Sequence, residues 1–343
     1  MSTTSATETQ LTPAALEQHL PEKTSSGKRK IIWLVLGSFL ILIVSLILAF
    51  HAFIAWTLAR PIIAPLSSNP MKAVKLPYED IRFPNSNGSS HLEGWYIPAS
   101  SGEDASTASD KTVIFSHGYG GNREELWVPL YSLAKELNKR HYNVVMFDYG
   151  YVQPGSERIV TAGVQESKEL LGAVQYARER GAREVYVWGF SMGAGTALQA
   201  ALHSDDITGM ILDSTFILNA DTLYHNMKQY VDLPKFPSLN LVRLFFPLIN
   251  GISLNQVPFS SVTNKKYDIP IFFIHGTDDT KAPYEIIEGV YDRQKENASS
   301  KLWIYPGGQH ELIYRADPKE YIEQTMNFLQ DIEISRNVKV AYE

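Results

Sequence analysis

A short stretch centred on Ser191 has the residue types of an activated serine nucleophile. The motif Gly189-Phe-Ser-Met-Gly193 follows the β-favouring run 184–188 and precedes small helix-forming residues. The serine therefore lies where a buried strand turns sharply into a helix. Glycine on both flanks permits a turn too tight for a Cβ, and such a turn pushes the hydroxyl out above the sheet edge. An ordinary turn with a solvent-facing serine is the alternative, but the strand-to-helix setting favours a nucleophile.

A serine hydroxyl needs a base within hydrogen-bond reach and an acid that orients the base. His310 follows the last β-favouring run of the chain, and Asp279 follows the run before it. Because open α/β sheets place their sites at the carboxyl ends of the strands, both side chains can reach Ser191 there. Along the chain the serine comes first, then the aspartate, then the histidine, and this order differs from that of chymotrypsin-like and subtilisin-like enzymes. The sequence predicts these three residues as a catalytic triad.

Other histidines and aspartates also end strands and are alternatives for the base and the acid. His117 and His275 each precede a glycine at a tight turn, where a ring hydrogen bond that braces the loop is the expected role. Asp278 and Asp213 are the alternative acids, and we expect each of them to cap a turn or a helix.

Two backbone N–H groups are predicted to hold the oxyanion. One belongs to Met192, directly after the nucleophile, and the other to Tyr119 in the glycine-rich loop 117–122. The glycines of this loop let its backbone approach a substrate closely. The loop lacks both the G-x-G-x-x-G pattern and a following Lys-Ser/Thr, so nucleotide binding is not expected.

Composition excludes several further classes of function. The formal charge is −6, and basic residues form no stripe interleaved with aromatic ones, so no nucleic-acid partner is predicted. The absence of cysteine removes disulfides and thiolate chemistry. No histidine and carboxylate grouping has metal-ligand spacing. The sequence therefore predicts neither a metal nor a cofactor.

A long apolar run near the N-terminus predicts a membrane anchor. Residues 31–59 contain no Asp, Glu, Lys or Arg, and these 29 residues exceed the roughly 20 that span a bilayer. A cleaved signal peptide is the rival, but the run is long and ends in a poor cleavage site. Basic residues at 28–30 predict a cytoplasmic N-terminus and an extracytoplasmic catalytic domain. We expect a disordered cytoplasmic tail over 1–30, a single transmembrane helix over 31–59 and a linker over 60–77.

Residues 78–343 are predicted to form one α/β domain. Eight short β-favouring runs alternate with helical segments, which indicates a mostly parallel sheet with helices on both faces. Residues 214–268 break the alternation and are predicted to form a helical cap insertion; one helix and a long meander is the alternative. The predicted strands are 78–83, 92–97, 112–115, 143–147, 184–188, 210–212, 270–274 and 302–305, and the predicted helices include 124–140, 162–180, 284–294 and 319–332.

From about residue 78 to 332 the chain resembles the α/β-hydrolase superfamily, most closely its serine aminopeptidase-like, membrane-anchored bacterial branch. The resemblance implies the same triad of Ser191, Asp279 and His310, with Tyr119 and Met192 as oxyanion donors. It carries little information on the substrate. The matching segments are Leu92-Glu-Gly-Trp-Tyr-Ile-Pro98, Phe115-Ser-His-Gly-Tyr-Gly-Gly-Asn122, Gly189-Phe-Ser-Met-Gly193, His275-Gly-Thr-Asp-Asp279 and Gly308-Gln-His310.

The first functional hypothesis is a membrane-anchored serine hydrolase that cleaves carboxylic esters through an acyl-enzyme on Ser191. A serine peptidase or aminopeptidase with the same triad is the second, since specificity depends on the shape of the cap and pocket. A non-catalytic surface-binding module is the third, although the full set of nucleophile, base and acid argues against it. The expected partners are a small ester or short peptide substrate and the lipid bilayer.

Overall fold

The computed structural model describes residues 25–100, 108–125, 127–153 and 155–342. Residues 1–24 of the predicted cytoplasmic tail lie outside the described residues. The chain divides into two compact units, and the division falls between Phe50 and His51. The first unit contributes only helix residues to the described chain, and the second contains the sheet.

Helix α1 runs from Ser25 to Leu58 and contains the apolar run. It begins six residues before the predicted start, because Lys and Arg at 28–30 are good helix formers and extend the helix beyond the apolar residues. Among the described residues, it is the one helix that is long and apolar enough to cross a membrane. Large apolar side chains are exposed along it from Ile31 to Phe50.

In the described parts of the chain, eight strands form one sheet in the order β1-β2-β4-β3-β5-β6-β7-β8. Strands β1 and β2 pair with antiparallel neighbours, and the remaining pairs are parallel. All eight predicted strands are present, with boundaries within two residues, and the predicted fold class is confirmed. The strands are β1 Glu79–Pro84, β2 His91–Ile97, β3 Lys111–Ser116, β4 Asn143–Phe147, β5 Glu184–Phe190, β6 Gly209–Asp213, β7 Ile271–Gly276 and β8 Lys301–Tyr305.

Helices cover both faces of the sheet, and each face has its own apolar core. One core joins the sheet to α4, α5 and α9, and the other joins it to α3 and α11. The helices after α1 are α2 Pro70–Val74, α3 Leu130–Lys139, α4 Glu166–Glu179, α5 Met192–Ala200, α6 Ala220–Tyr230, α7 Lys235–Asn250, α8 Phe259–Asn264, α9 Tyr284–Asp292, α10 Ile313–Ala316 and α11 Pro318–Tyr342.

The helix predicted over 162–180 begins at Glu166, and the one predicted over 319–332 extends to Tyr342. Two further differences from the predicted elements have local reasons. The predicted linker 60–77 contains α2, because Asn69 accepts the N–H of Lys72 at 2.9 Å and Pro70 is preorganised for the first helical turn. The helix predicted to begin at 124 begins at Leu130 instead. The residues before Pro129 form a loop whose carboxylates are used in tertiary contacts.

The insertion, which we define as residues 214–268, contains α6, α7, α8 and a 3-10 turn at Leu254–Gln256. Its apolar side chains form a third core with Ala55 and Ala59, both of which are fully buried. Helix α6 also contacts the loop after β7, since the Asn226 amide donates to the Lys281 carbonyl at 2.7 Å. The designation of this insertion as a cap stays a prediction.

Candidate active site

Ser191 occupies the strained turn between β5 and α5. Its φ of 50° and ψ of −116° lie in a region that L-residues rarely adopt, and such strain concentrates at functional sites. A Cβ on Gly193 would lie 2.0 Å from the carbonyl oxygen of Ser116, and one on Gly189 would lie 2.6 Å from the Cα of Ala194. Neither clash involves a flexible side chain, so both positions require glycine.

The structure brings the three predicted triad side chains into one chain of hydrogen bonds. Oγ of Ser191 lies 2.8 Å from Nε2 of His310, and Nδ1 of His310 lies 2.7 Å from Oδ2 of Asp279. All three side chains are almost wholly buried. A neutral imidazole that donates from Nδ1 to the carboxylate leaves Nε2 to accept the serine proton. This is the geometry that general-base activation of a hydroxyl requires.

Asp279 accepts hydrogen bonds at both of its carboxylate oxygens. Oδ1 accepts the backbone N–H groups of Lys281 and Ala282 at 2.9 and 2.8 Å, while Oδ2 faces His310 and, at 3.1 Å, Nε2 of His275. Burial alone would raise the pKa of Asp279, but the hydrogen bonds from His275 and His310 outweigh it and hold this pKa well below its usual value. The acid is therefore ionised and fixed in orientation.

The alternative bases and acids have other partners. Nδ1 of His117 lies 3.0 Å from the Gly118 carbonyl, and its Nε2 lies 3.2 Å from the backbone nitrogen of Tyr149. These two ring contacts brace the loop, which is the role expected for this histidine. Burial lowers its pKa. Asp213 accepts from the Tyr321 hydroxyl at 2.7 Å in the core. Nε2 of His275 lies 2.8 Å from the Ala282 carbonyl, which braces the loop after β7, and 3.1 Å from Oδ2 of Asp279. The four-residue spacing between His275 and Asp279 could have indicated the second contact.

The predicted oxyanion donors lie on elements that flank the serine. Met192 is the first residue of α5, where free N–H groups and the helix dipole favour negative charge. The loop that carries Tyr119 lies against the nucleophile, because a Cβ on Gly118 would be 3.4 Å from the Cβ of Ser191. The role of these two N–H groups stays a prediction.

Two buried carboxyl groups beside this loop were not predicted from the sequence. Glu125 accepts the backbone N–H of Gly118 at 3.0 Å, and Glu311 accepts from the Trp127 indole at 2.6 Å. Both carboxyls lie within 3.1 Å of the place where a Cβ on Gly118 would be. Both residues also have positive φ, 38° and 58°. The position of Glu311 directly after His310 could have indicated one of these carboxyls. Glu125 gave no such indication, because the sequence predicts that it lies in the first turn of a helix.

These carboxyls give the fold a defined pH dependence. Burial, and then the charge of Glu311, raise the pKa of Glu125 well above its usual value of 4.5. A group whose pKa is higher in the folded than in the unfolded state stabilises the fold. This stabilisation is complete below the unfolded-state pKa and is lost as the pH rises through the folded-state pKa. We therefore expect Glu125→Gln, which keeps an acceptor for Gly118 but cannot ionise, to lose less thermal stability than wild type as pH rises above about 5. Melting temperatures from pH 5 to about 9 measure this.

The control is a variant of a glutamate whose pKa is lowered in the folded state. A hydrogen bond from Lys139 lowers the pKa of the partly exposed Glu136, so its stabilisation is present above the unfolded pKa and is lost as pH falls. Glu136→Gln should therefore change the acidic side of the profile, not the alkaline side. A Glu125→Gln profile parallel to that of wild type above about pH 5 would contradict the assigned protonation.

Among the described residues, no group of three or more His, Asp or Glu side chains is placed to hold a metal ion.

Comparisons with known proteins agree with the observed fold and motifs. A family described as alpha/beta hydrolase fold matches residues 111–241, from β3 into the insertion. An esterase of Pyrococcus furiosus, Pf2001, superposes with a TM-score of 0.64 at 26% identity and covers 80% of this chain and 98% of its own. The chain has the α/β-hydrolase fold, and its sequence is similar to that family. The predicted bacterial, serine aminopeptidase-like branch stays a prediction.

Two sequence relatives each match more than two thirds of the chain. The lysophosphatidylserine lipase ABHD12 of Danio rerio is 26% identical over 290 residues, which are 71% of this chain and 72% of that protein. Protein YfhR of Salmonella typhimurium, which has no assigned activity, is 28% identical over 244 residues, 68% of this chain and 74% of its own. The general prediction of a hydrolase of this fold is thus confirmed.

Proposed function

We propose that this α/β-hydrolase is a membrane-anchored serine hydrolase that cleaves carboxylic esters. The observation that carries the proposal is the unbroken hydrogen-bond chain from Ser191 through His310 to the ionised Asp279. Such a chain activates a hydroxyl that would otherwise be a poor nucleophile at neutral pH.

The mechanism follows from the position of each atom. Nε2 of His310 takes the proton of Ser191 as Oγ attacks the ester carbonyl carbon, and the resulting oxyanion accepts from the N–H groups of Met192 and Tyr119. Collapse expels the alcohol, which receives the proton from His310, and leaves an acyl group on Oγ. Water then attacks this acyl-enzyme, with His310 again as base, and the carboxylic acid leaves. Asp279 keeps the imidazole in the required tautomer throughout.

Ester cleavage is favoured over amide cleavage by the relatives. Pf2001 is described as an esterase and ABHD12 as a lipase, and both match across most of the catalytic part of this chain. An aminopeptidase would need a carboxylate that receives the free amino group of a peptide. Glu125 and Glu311 lie beside Gly118, but both are buried, and Glu125 is bound to the Gly118 N–H.

Membrane attachment is proposed through α1. Its apolar side chains are exposed from Ile31 to Phe50, and the basic residues 28–30 precede them. By the positive-inside rule, the N-terminus lies in the cytoplasm and the hydrolase unit lies on the opposite side.

The proposal is tested on the full chain in detergent with a fluorophosphonate probe and a matched substrate panel. We expect covalent labelling of wild type and faster cleavage of p-nitrophenyl butyrate than of the anilide with the same acyl group. Amino-acid p-nitroanilides with free and blocked amino groups complete the panel. Faster cleavage of the free-amine anilide would replace the esterase by an aminopeptidase. A folded protein that is not labelled would refute an activated serine.

A further inference from the structure

The end of α1 is capped by side chains of the hydrolase unit. The last four carbonyl groups of a helix have no partner within the helix, so they must be satisfied from outside. The carbonyl of Ala55 accepts from the amide of Asn250 at 3.0 Å, and the carbonyl of Leu58, the last helical residue, accepts from the Tyr119 hydroxyl at 3.1 Å. The second contact joins the helix end directly to the predicted oxyanion loop.

The residues that follow the helix are also held in place. Ala59 is fully buried in the core of the insertion, and its carbonyl accepts the backbone N–H of Val160 at 2.9 Å. Nη1 of Arg60 donates to Oδ1 of Asn250 at 2.6 Å. The junction between the helix and the sheet domain is therefore a packed structural element.

The next residues run along the outer side of the oxyanion loop. The amide of Asn122 donates to the carbonyl of Ala64 at 2.8 Å. The carboxylate of Glu124 accepts both the N–H and the hydroxyl of Ser67, each at 2.7 Å. Glu124 is 5% exposed although Ser67 is exposed, so these charge-assisted bonds are stronger than bonds between two fully exposed groups. We call residues 58–67 the brace.

Asn122 connects the brace to the backbone of the loop. Its Oδ1 accepts the N–H of Glu124 at 2.9 Å and stabilises the turn of the loop. Its Nδ2 donates to the Ala64 carbonyl of the brace, so the same side chain also fixes where this turn lies. On the other side of the loop, the N–H of Gly118 is held by Glu125. Tyr119 lies between these two fixed points, and an oxyanion donor must be placed to within a fraction of an ångström.

We propose that the brace positions the Tyr119 N–H as an oxyanion donor, so that the segment after the membrane helix is a working part of the active site. The residues of the brace are positioning residues, since none of them contacts the reacting atoms. This proposal rests on the serine hydrolase function proposed above. It predicts that a change in the brace is detected in the oxyanion loop and in the rate of the chemical step.

The first test measures hydrogen exchange in the folded full chain with matched serine variants. Ser67→Ala removes the hydroxyl that donates to Glu124, and Ser100→Ala removes one that donates to the Asn138 carbonyl at 2.8 Å, also from an exposed position. We expect amides of residues 117–125 to exchange about fivefold faster in Ser67→Ala, as local opening becomes easier. Equal exchange in the two variants would overturn the proposal, whatever the activity of the enzyme.

The second test measures kcat and KM for a short ester with matched asparagine variants. Asn122→Asp keeps the acceptor for Glu124 but loses the donor to Ala64, and Asn138→Asp loses a similar bond to the Pro98 carbonyl at 2.7 Å. We expect kcat of Asn122→Asp to fall about tenfold, with KM within about twofold, because a misplaced donor affects mainly the transition state.

The control separates positioning from loss of stability. Asn138→Asp should lower the melting temperature comparably and retain kcat. Equal kcat in the two variants would refute the positioning role. Absence of ester hydrolysis in wild type would instead refute the proposed function, and the exchange measurement would still decide whether the brace holds the loop.

Discussion

Ser191→Ala is expected to lower kcat/KM for ester hydrolysis by at least about a thousandfold, the scale found when a triad nucleophile is removed. The loss is large because, in the described part of the chain, the Ser191 hydroxyl is the one that contacts Nε2 of His310, at 2.8 Å. The backbone of the elbow does not depend on this hydroxyl, so the melting temperature should change little. Initial rates on p-nitrophenyl butyrate and probe labelling measure the effect.

A second serine variant makes this result specific. Ser204→Ala removes a hydroxyl that lies 3.3 Å from a carboxylate oxygen of Asp206 on the surface, and it should leave both rate and labelling at the wild-type level. Retention of more than about a tenth of the activity by Ser191→Ala would place the nucleophile elsewhere.

Asp279→Asn is expected to lower kcat by about 10³- to 10⁴-fold at neutral pH, with the fold intact. Oδ1 of asparagine can still accept the N–H groups of Lys281 and Ala282. Its NH₂ group, however, would face the ring nitrogens of His275 and His310, where the carboxylate now accepts. His310 would then have to present a bare Nδ1 and a protonated Nε2, which cannot take the serine proton.

The adjacent aspartate provides the control. Asp278 accepts only from Thr277 among the side-chain contacts described, at 3.1 Å, and it is exposed. Asp278→Asn should keep kcat within about twofold of wild type, as surface substitutions usually do. If Asp278→Asn were the more damaging variant, the assignment of the acid would be wrong.

The strands were predictable because buried parallel strands are encoded locally. Residues 143–147 and 184–190 are apolar on both faces, and each run is bounded by polar or turn residues, so the pattern does not depend on distant contacts. The candidate triad was predictable for a related reason. Each of its members follows a strand, and the parallel order of β5, β7 and β8 brings their ends to one edge.

Contacts between distant segments could not be predicted in the same way. The bond from Asn250 to Ala55 joins residues 195 positions apart, and nothing in either local sequence indicates the partner. The burial of Glu125 is similar, because a glutamate is ordinarily exposed and only tertiary packing encloses it. The sequence predicts a helix that begins at residue 124 and a linker over 60–77, whereas the structure has a loop with tertiary contacts before Leu130 and the brace within 60–77.

The place where the chain divides into its two units explains the length of the apolar run. The 29 residues from 31 to 59 are nine more than the roughly 20 that cross a bilayer core of about 30 Å. The division after Phe50 assigns those nine, His51 to Ala59, to the hydrolase unit, where His51, Ala55 and Ala59 are buried at four-residue intervals. Residues 51–59 therefore belong to the packed part of the hydrolase unit, and residues 31–50 are the part of the run that remains for the proposed membrane span.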